Sequence, residues 1–286
     1  MIHTARQLKA LVRNRSNSDS KKAQTLIRLY AMERFLERLS LSEYINNFIL
    51  KGGILVSSMV GVDKRSTMDI DTTIRNLNLS IEDVKRIVEE IIAVPLEDGI
   101  RFELQDVSEI MEEGEYAGVR LHLPAWLETM RAPIKIDIST GDVITPREIR
   151  YSYKLMFEDR GIELYTYNLD TILAEKAETI LSRGTANTRL RDYYDIYILN
   201  QQYADSIEPK NVYAALQATS RKRGSEKVIS DGNQILSEIR DSSDMLALWK
   251  NYQNKFEYAA DVEWSDVMDT IIGLYRNMAD VSASVQ

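Results

Sequence analysis

Two aspartates separated by one isoleucine, Asp69 and Asp71, stand in the stretch RSTMDID. If this stretch is a β-strand, both side chains point to the same face, with Cα atoms roughly 6.5 Å apart. Carboxylate oxygens at that spacing favour hard divalent cations such as Mg²⁺ or Mn²⁺. Two such ions about 3.5–4 Å apart can activate an attacking hydroxyl and stabilise a leaving pyrophosphate. The motif therefore predicts a metal site for phosphoryl chemistry.

A third carboxylate and a glycine pair extend this motif. Asp137 lies in the apolar stretch IKIDIS, which is typical of a second strand. Upstream, Gly52 and Gly53 would let the N-terminus of a helix approach a triphosphate, and Lys51 adds positive charge nearby. For Asp-x-Asp alone, a salt-bridged or edge-strand aspartate is the simpler interpretation. The combination of the three motifs favours the metal site.

Composition excludes several other kinds of site. The 286 residues contain no cysteine, so disulfides, thiolate metal sites and thiol nucleophiles are excluded. The two histidines, His3 and His122, are too few for a histidine-rich metal site. No apolar run reaches the roughly 18 residues of a membrane helix, and the N-terminus lacks the apolar stretch of a secretory signal. We expect a cytoplasmic protein without a membrane partner.

Charge is unevenly distributed along the chain. Residues 1–40 hold nine Lys or Arg against three Asp or Glu and carry +6, whereas the remainder carries −14. A basic arm on an acidic body can guide a polyanion such as RNA to one edge. The same interpretation applies to the basic run 221–223. In both segments a solvated surface is the alternative.

Periodicity divides the chain near residue 160. Before it, helical spacing over residues 4–12, 24–39 and 81–92 is mixed with period-two stretches at 68–74, 100–107, 116–123 and 133–139. Ser80, followed by Asp83, is typical of a helix N-cap. After Asn168 every periodic segment reads as a helix, at 169–183, 188–202, 210–219, 243–256 and 264–278. We predict an α/β part at 1–160 and an all-helical part at 161–286.

Two of these helices predict a charged pair. If 169–183 and 188–202 form an antiparallel hairpin about Gly184, Lys176 lies eight residues before the turn and Asp192 eight after it, so the two face each other. Asp195, one turn further on, shares that face. The pair could hold nucleotide phosphates or move a proton. An ordinary surface ion pair, worth at most about 1 kcal/mol, is the alternative.

The motifs KGG, RSTMDID, KIDIS, LAEKAETIL and RLRDYYDIY, taken in this order, resemble the AbiEii/AbiGii toxin family. These are nucleotidyltransferase-like toxins of type IV toxin–antitoxin and abortive-infection systems, within the DNA polymerase β-type superfamily. The resemblance implies a nucleotidyltransferase domain with a mixed β-sheet, followed by a helical C-terminal domain. It implies metal ligands at Asp69, Asp71 and Asp137, further catalytic residues at Lys176 and Asp192, and nucleotide-binding residues at Lys51, Gly52, Gly53, Arg65, Thr67 and Lys176.

The resemblance also implies a function. A toxin of this kind would use Mg²⁺ or Mn²⁺ to transfer a nucleotide from an NTP to a hydroxyl, on RNA such as the 3′ end of tRNA, and a cognate antitoxin would counter it. Transfer to a protein or small-molecule hydroxyl, and a non-catalytic NTP-binding module, are the alternatives. Ile54 follows the glycine pair where many relatives carry Thr or Ser, and Thr67 replaces the commoner Ser. These departures affect the details of nucleotide handling.

Overall fold

The computed structural model describes residues 1–78, 80–111 and 117–283. The chain forms two compact units, each described by itself below. Unit 1 comprises Met1–Val62, Ser66–Asp142 and Ile149–Thr166, and unit 2 comprises Asp63–Arg65, Val143–Glu148 and Tyr167–Gln286. In the described part of the chain, no helix has both the length and the apolar character needed to cross a bilayer.

Among its described residues, unit 1 contains ten strands in two sheets. They are β1 (Phe48–Lys51), β2 (Ile70–Ile74), β3 (Ile100–Phe102), β4 (Asp106–Met111), β5 (Ala117–His122), β6 (Ala125–Leu127), β7 (Met130–Ala132), β8 (Lys135–Thr140), β9 (Ile149–Lys154) and β10 (Gly161–Thr166). Seven form one sheet in the order β4-β5-β8-β2-β1-β10-β9, and three form a second in the order β3-β6-β7. The large sheet is mixed, because β1 with β10 and β2 with β8 are parallel pairs and the others are antiparallel.

Four helices belong to unit 1: α1 (Ala5–Ser16), α2 (Ser20–Leu41), α3 (Gly52–Val60) and α4 (Ile81–Ile92). The predicted start of α4 is confirmed, since the Ser80 hydroxyl accepts a hydrogen bond from the backbone N–H of Asp83. The polar segment 14–22, which lies between the helical spacings at 4–12 and 24–39, is mostly helical. Asp19 caps α2 by accepting from the Lys22 N–H, so only three residues separate α1 and α2.

For part of the segment 1–40, the second helix corrects both interpretations, an arm that guides a polyanion and a solvated surface. Arg34 and Arg38 are buried, and their guanidinium groups meet carboxylates of the same unit. Arg34 pairs with Glu158 at 3.1 Å, and Arg38 pairs with Asp98 at 2.7 Å. Buried charges require such partners because they have lost their hydration. These two arginines are internal counterions, whereas the basic residues of α1 at 6, 9 and 13 are exposed.

Several strand predictions need correction. The stretch 100–107 is interrupted between β3 and β4, where the N–H of Glu103 donates to Pro124 and that of Gln105 to His122. Each half therefore pairs with a different strand. Strands β9 and β10 lack a period-two signal strong enough to predict them. Tyr116, the first residue of one predicted strand, lies outside the described residues.

Unit 2 is helical in the described residues, and the predicted helices from residue 169 onward are confirmed. The predicted all-helical range 161–286 needs correction at its start, because Gly161–Thr166 forms strand β10 of unit 1. Its helices are α5 (Leu169–Arg183), α6 (Leu190–Tyr203), α7 (Pro209–Arg223), α8 (Lys227–Ser230), α9 (Gly232–Asp241), α10 (Ser243–Lys255) and α11 (Trp264–Ala283). Asn168 caps α5, because its side chain accepts from the Thr171 N–H at 2.7 Å. Gly184 follows α5 with φ of 54° and allows the turn toward α6. Tyr193 and Tyr194 are buried in the aromatic core of this unit, as their helical spacing predicts.

Candidate active site

Strand pairing in unit 1 brings the predicted carboxylates to one face of the large sheet. Asp71 on β2 lies directly opposite Asp137 on β8 in a parallel pair. Neighbouring strands are about 4.8 Å apart and paired residues point the same way, so these two side chains are adjacent. Asp69 lies immediately before β2, two residues from Asp71. The three aspartates singled out in the sequence therefore meet at one place.

The glycine pair packs against one of these carboxylates. Lys51, at the end of β1, is opposite Asp71, and the chain turns there into α3. The Gly53 N–H donates to Asp71 Oδ2 at 3.3 Å. Gly52 has φ of 64°, and a Cβ added to it would lie 2.2 Å from the same oxygen. Only glycine allows this approach. Contact with a triphosphate remains a prediction for both glycines.

Two basic residues that the sequence analysis did not single out complete the cluster. The Arg120 guanidinium donates two hydrogen bonds to Asp137, Nε to Oδ1 at 2.8 Å and Nη2 to Oδ2 at 2.9 Å. The Lys135 ammonium lies 3.2 Å from Asp69 Oδ2 and 3.4 Å from Asp137 Oδ2. The spacing of Lys135 and Asp137 on one strand was a usable signal. Arg120 could be found only through its cross-strand pairing with Asp137.

Lys51, the lysine predicted to bind phosphate, pairs with a fourth carboxylate, that of Asp142. The Lys51 ammonium lies 2.5 Å from Asp142 Oδ2, and the Ser139 hydroxyl donates to that oxygen at 3.0 Å. Thr67, another predicted nucleotide-binding residue, is buried, and its hydroxyl donates to the Asp69 carbonyl at 3.4 Å. Both side chains thus have partners within unit 1, and their contacts with nucleotide remain predictions.

The surroundings of Asp71 disfavour its charged form and raise its pKa. Burial raises the pKa of its carboxyl, and the negative charges of Asp137 and Asp69 raise it further, against the Lys51 ammonium and the Gly53 N–H. A divalent cation would relieve this repulsion, and oxygen donors suit Mg²⁺ or Mn²⁺. Within the described residues, no three acidic or histidine side chains are grouped closely enough to hold one ion in their present rotamers. Asp69 and Asp71 are the residues that would hold a divalent cation.

In unit 2, the predicted pair of Lys176 and Asp192 is present. The Lys176 ammonium lies 2.9 Å from Asp192 Oδ1, which confirms the hairpin geometry, and 2.7 Å from Asp195 Oδ2. Arg65 completes this network by donating to Asp195, Nε to Oδ1 at 2.8 Å and Nη2 to Oδ2 at 3.3 Å. Asp195 does not pair with Arg191, whose guanidinium lies over the Phe256 ring. The nucleotide-binding role of Arg65 remains a prediction.

This network remains charged despite its burial. Burial opposes ionisation of Asp195, but Arg65 and Lys176 lower the pKa of its carboxyl to about 2. Burial alone would lower the pKa of Lys176, yet Asp192 and Asp195 raise it above its usual value. In the run 221–223, Arg223 is likewise engaged, with Glu178 and Thr179. Arg223 is therefore held within unit 2, which weakens its assignment to RNA binding.

Comparisons with known proteins concern the fold and the family of the chain. The fold is similar to that of JHP933 from Helicobacter pylori, with a TM-score of 0.50 and 17% identity over 92% of this chain and 96% of that one. A provisionally named nucleotidyltransferase from H. pylori has a TM-score of 0.49 and 15% identity over 90% and 97% of the two chains. No curated protein matches significantly. The profile of the nucleotidyl transferase AbiEii toxin of type IV toxin–antitoxin systems matches residues 34–270, and the chain belongs to this AbiEii family.

Proposed function

We propose that this protein transfers a nucleotide from an NTP to a hydroxyl of RNA, with the 3′ end of tRNA as the acceptor. Family membership supports nucleotidyl transfer and a cognate antitoxin as partner. The observation that carries the proposal is the meeting of Asp69, Asp71 and Asp137 on one sheet face beside the start of α3. Such a set of oxygen donors is suited to a metal-bound triphosphate.

In this proposal each carboxylate has its own role. A divalent cation, when bound, supplies charge neutralisation for the triphosphate and the leaving pyrophosphate. Asp69 and Asp71 hold it, and the free N–H groups at the start of α3 orient phosphate oxygens. Asp137 accepts the proton of the acceptor hydroxyl. Arg120 uses one lone pair on each of its oxygens, which leaves others for a hydroxyl. The new bond joins the acceptor oxygen to the α-phosphorus as the bond to pyrophosphate breaks.

The RNA part of the proposal is supported by charge. Exposed basic residues of α1 (Arg6, Lys9 and Arg13) form a surface in unit 1 that suits phosphates. Lys176 and Asp192 enter the proposal through the family motif, as a phosphate ligand and its orienting carboxylate. Their pairing at 2.9 Å is compatible with such a role. We place the reaction in the cytoplasm, where NTPs and tRNA are available.

The test is label transfer from each of the four NTPs to purified tRNA with Mg²⁺. We expect one or more NTPs to label tRNA, and Asp69→Asn to reduce the rate by at least about 10³-fold, since a missing metal ligand removes charge stabilisation of several kcal/mol. Asp159→Asn, which changes an exposed aspartate of the same unit, serves as the matched control and should retain full activity.

Other acceptors decide between the alternatives. Labelling of protein or of a small molecule in a cell extract, with tRNA unlabelled, would replace RNA as the acceptor and leave the metal site intact. NTP binding seen by calorimetry, with no labelled acceptor of any kind, would establish a binding module instead. Undiminished transfer by Asp69→Asn would remove the proposed mechanism.

A further inference from the structure

Lys135 occupies a position in the carboxylate cluster that the proposed reaction does not explain. Its ammonium lies between Asp69 and Asp137, at 3.2 and 3.4 Å from one oxygen of each. It precedes Asp137 by two residues on β8, so both side chains leave the strand on the same face. The lysine thus bridges Asp69, which holds the metal ion in the proposed function, and Asp137, which accepts the proton.

We propose that Lys135 is a built-in counter-cation of this site, which a divalent ion displaces when it binds. The inference rests on the metal site of the proposed function. Asp69 Oδ2 cannot contact the ammonium at 3.2 Å and coordinate a metal ion in the same direction. An ion on another lone pair of Asp69 would lie close to the ammonium and be repelled by it, so ion binding favours departure of the lysine from Asp69. Lys135 sets how strongly the free protein binds metal.

The environment of the lysine distinguishes it from a structural ion pair. Asp137 is already neutralised by two hydrogen bonds from Arg120, so its pairing does not depend on Lys135. For Asp69, by contrast, Lys135 is the single basic group within ion-pair distance among the described residues. The exposed fractions of the two side chains, 26% for Lys135 and 32% for Asp69, place the contact in reach of water. A long flexible side chain at such a position can exchange its partner at little cost.

The net negative charge of the cluster favours replacement of the Lys135 ammonium by a divalent ion. Three basic side chains, Lys51, Arg120 and Lys135, face four carboxylates, those of Asp69, Asp71, Asp137 and Asp142. With Lys135 in place this set carries a net charge of −1, and once the ammonium leaves it carries −2, which a divalent ion balances. The ammonium compensates one charge at Asp69, which keeps the site assembled without metal, but it leaves Asp71 under the repulsion described above. A divalent cation neutralises the charges of both Asp69 and Asp71.

The experiment measures Mn²⁺ binding to the free full-length chain by calorimetry and by the electron paramagnetic resonance signal of free Mn²⁺. No NTP or RNA is present, so activity does not enter the result. Lys135→Met removes the competing cation, and we expect tighter binding by up to about fivefold, because a partly exposed ion pair contributes up to about 1 kcal/mol. Lys154→Met, at an exposed position in the same unit, is the matched control and should bind as the wild type does.

One further variant and one further measurement keep the test decisive. Lys135→Arg retains a cation and should bind Mn²⁺ within about twofold of the wild type. In EDTA, Lys135→Met should have a lower melting temperature than the wild type, and added Mn²⁺ should raise the melting temperature more in the variant. This metal-specific recovery would not follow from a packing defect.

The opposing results are distinct. Unchanged or weaker Mn²⁺ binding by a folded Lys135→Met protein, with clear binding by the wild type, would overturn the counter-cation role and leave the proposed function standing. No Mn²⁺ binding by the wild type, by Lys135→Met or by Lys135→Arg up to millimolar concentration would remove the metal site, and both proposals with it. Tighter binding that persists in the double variant Asp69→Asn/Lys135→Met would place the ion elsewhere.

Discussion

The two units of this protein each hold a cluster of carboxylates and basic side chains, and the clusters differ in how completely the charges are matched. In unit 2, Asp195 is fully buried and accepts from both Arg65 and Lys176. In unit 1, Asp69 is one-third exposed and meets Lys135 alone among the described residues, while Asp71 is left under net repulsion. The same residue types therefore form a closed network in one unit and an incomplete one in the other.

The difference in charge matching determines whether each cluster is suited to a structural role or to binding another cation. A buried charge that loses its partner is costly, so the network of unit 2 retains its partners and fixes the position of its helices. An exposed pair with surplus negative charge can accept another cation at little cost. Incomplete neutralisation, and not the mere presence of aspartates, marks the cluster of unit 1 as the candidate for chemistry. Substitutions in each cluster test this difference in charge matching.

The largest effect is expected for Asp195→Asn. Removing its charge takes away the buried carboxylate that both Arg65 and Lys176 contact, and we expect the free energy of unfolding to fall by about 3–5 kcal/mol. Urea denaturation at pH 7 measures it. The lowered pKa of Asp195 means that its contribution is present above the unfolded pKa near 4 and is lost as the pH falls through about 2. A loss below about 1 kcal/mol would contradict the closed network.

Gly52→Ala should cause the second-largest loss of stability. The added Cβ would meet Asp71 Oδ2 at 2.2 Å, and the backbone has φ of 64°, so we expect a loss of about 2–4 kcal/mol together with displacement of Asp71. Gly61→Ala is the matched control: Gly61 also has positive φ, at 94°, but a Cβ there meets nothing within 4 Å. That variant should lose about 1 kcal/mol. Equal losses in thermal melts of the two variants would show that the contact with Asp71 is unimportant.

Asp71→Asn should change the free energy of unfolding in the opposite direction to Asp195→Asn. The raised pKa of Asp71 means that its favourable contribution is present below its unfolded pKa and is lost as the pH rises through the folded value. We therefore expect the variant to be more stable by about 1 kcal/mol at pH 7, with no advantage at pH 3. Denaturation at both pH values tests this. A less stable variant at pH 7 would show that Lys51 and the Gly53 N–H outweigh the repulsion.

The smallest change is expected for Asp69→Asn. The exposed pair with Lys135 contributes little, so the free energy of unfolding should stay within about 0.5 kcal/mol of the wild type, although the proposed activity is lost. Asp159→Asn again serves as control. A loss of 2 kcal/mol or more in Asp69→Asn would mean that this carboxylate is structural, and the contrast between the two units would disappear.

Local signals account for the features that the sequence analysis predicted correctly. The alternation of MDID and IKIDIS places Asp69, Asp71 and Asp137 on one face once the strands are paired. Equal spacing about Gly184 places Lys176 level with Asp192. The cap at Ser80 defines the start of α4. Each of these follows from backbone periodicity or from contacts within a few residues, which one chain reveals without its tertiary structure.

The sequence by itself determined the family, the mixed fold with a helical C-terminal part, and the residue types of the candidate site. Only the tertiary structure decided which cations the carboxylates meet: Arg120 and Lys135 with Asp137, Lys51 with Asp142, and Arg65 with Asp195. Most of these partners are distant in sequence, up to 130 residues apart for Arg65 and Asp195. Strand pairing and helix packing bring them together. Periodicity reports which face a side chain occupies, but not which strand or helix will lie against it.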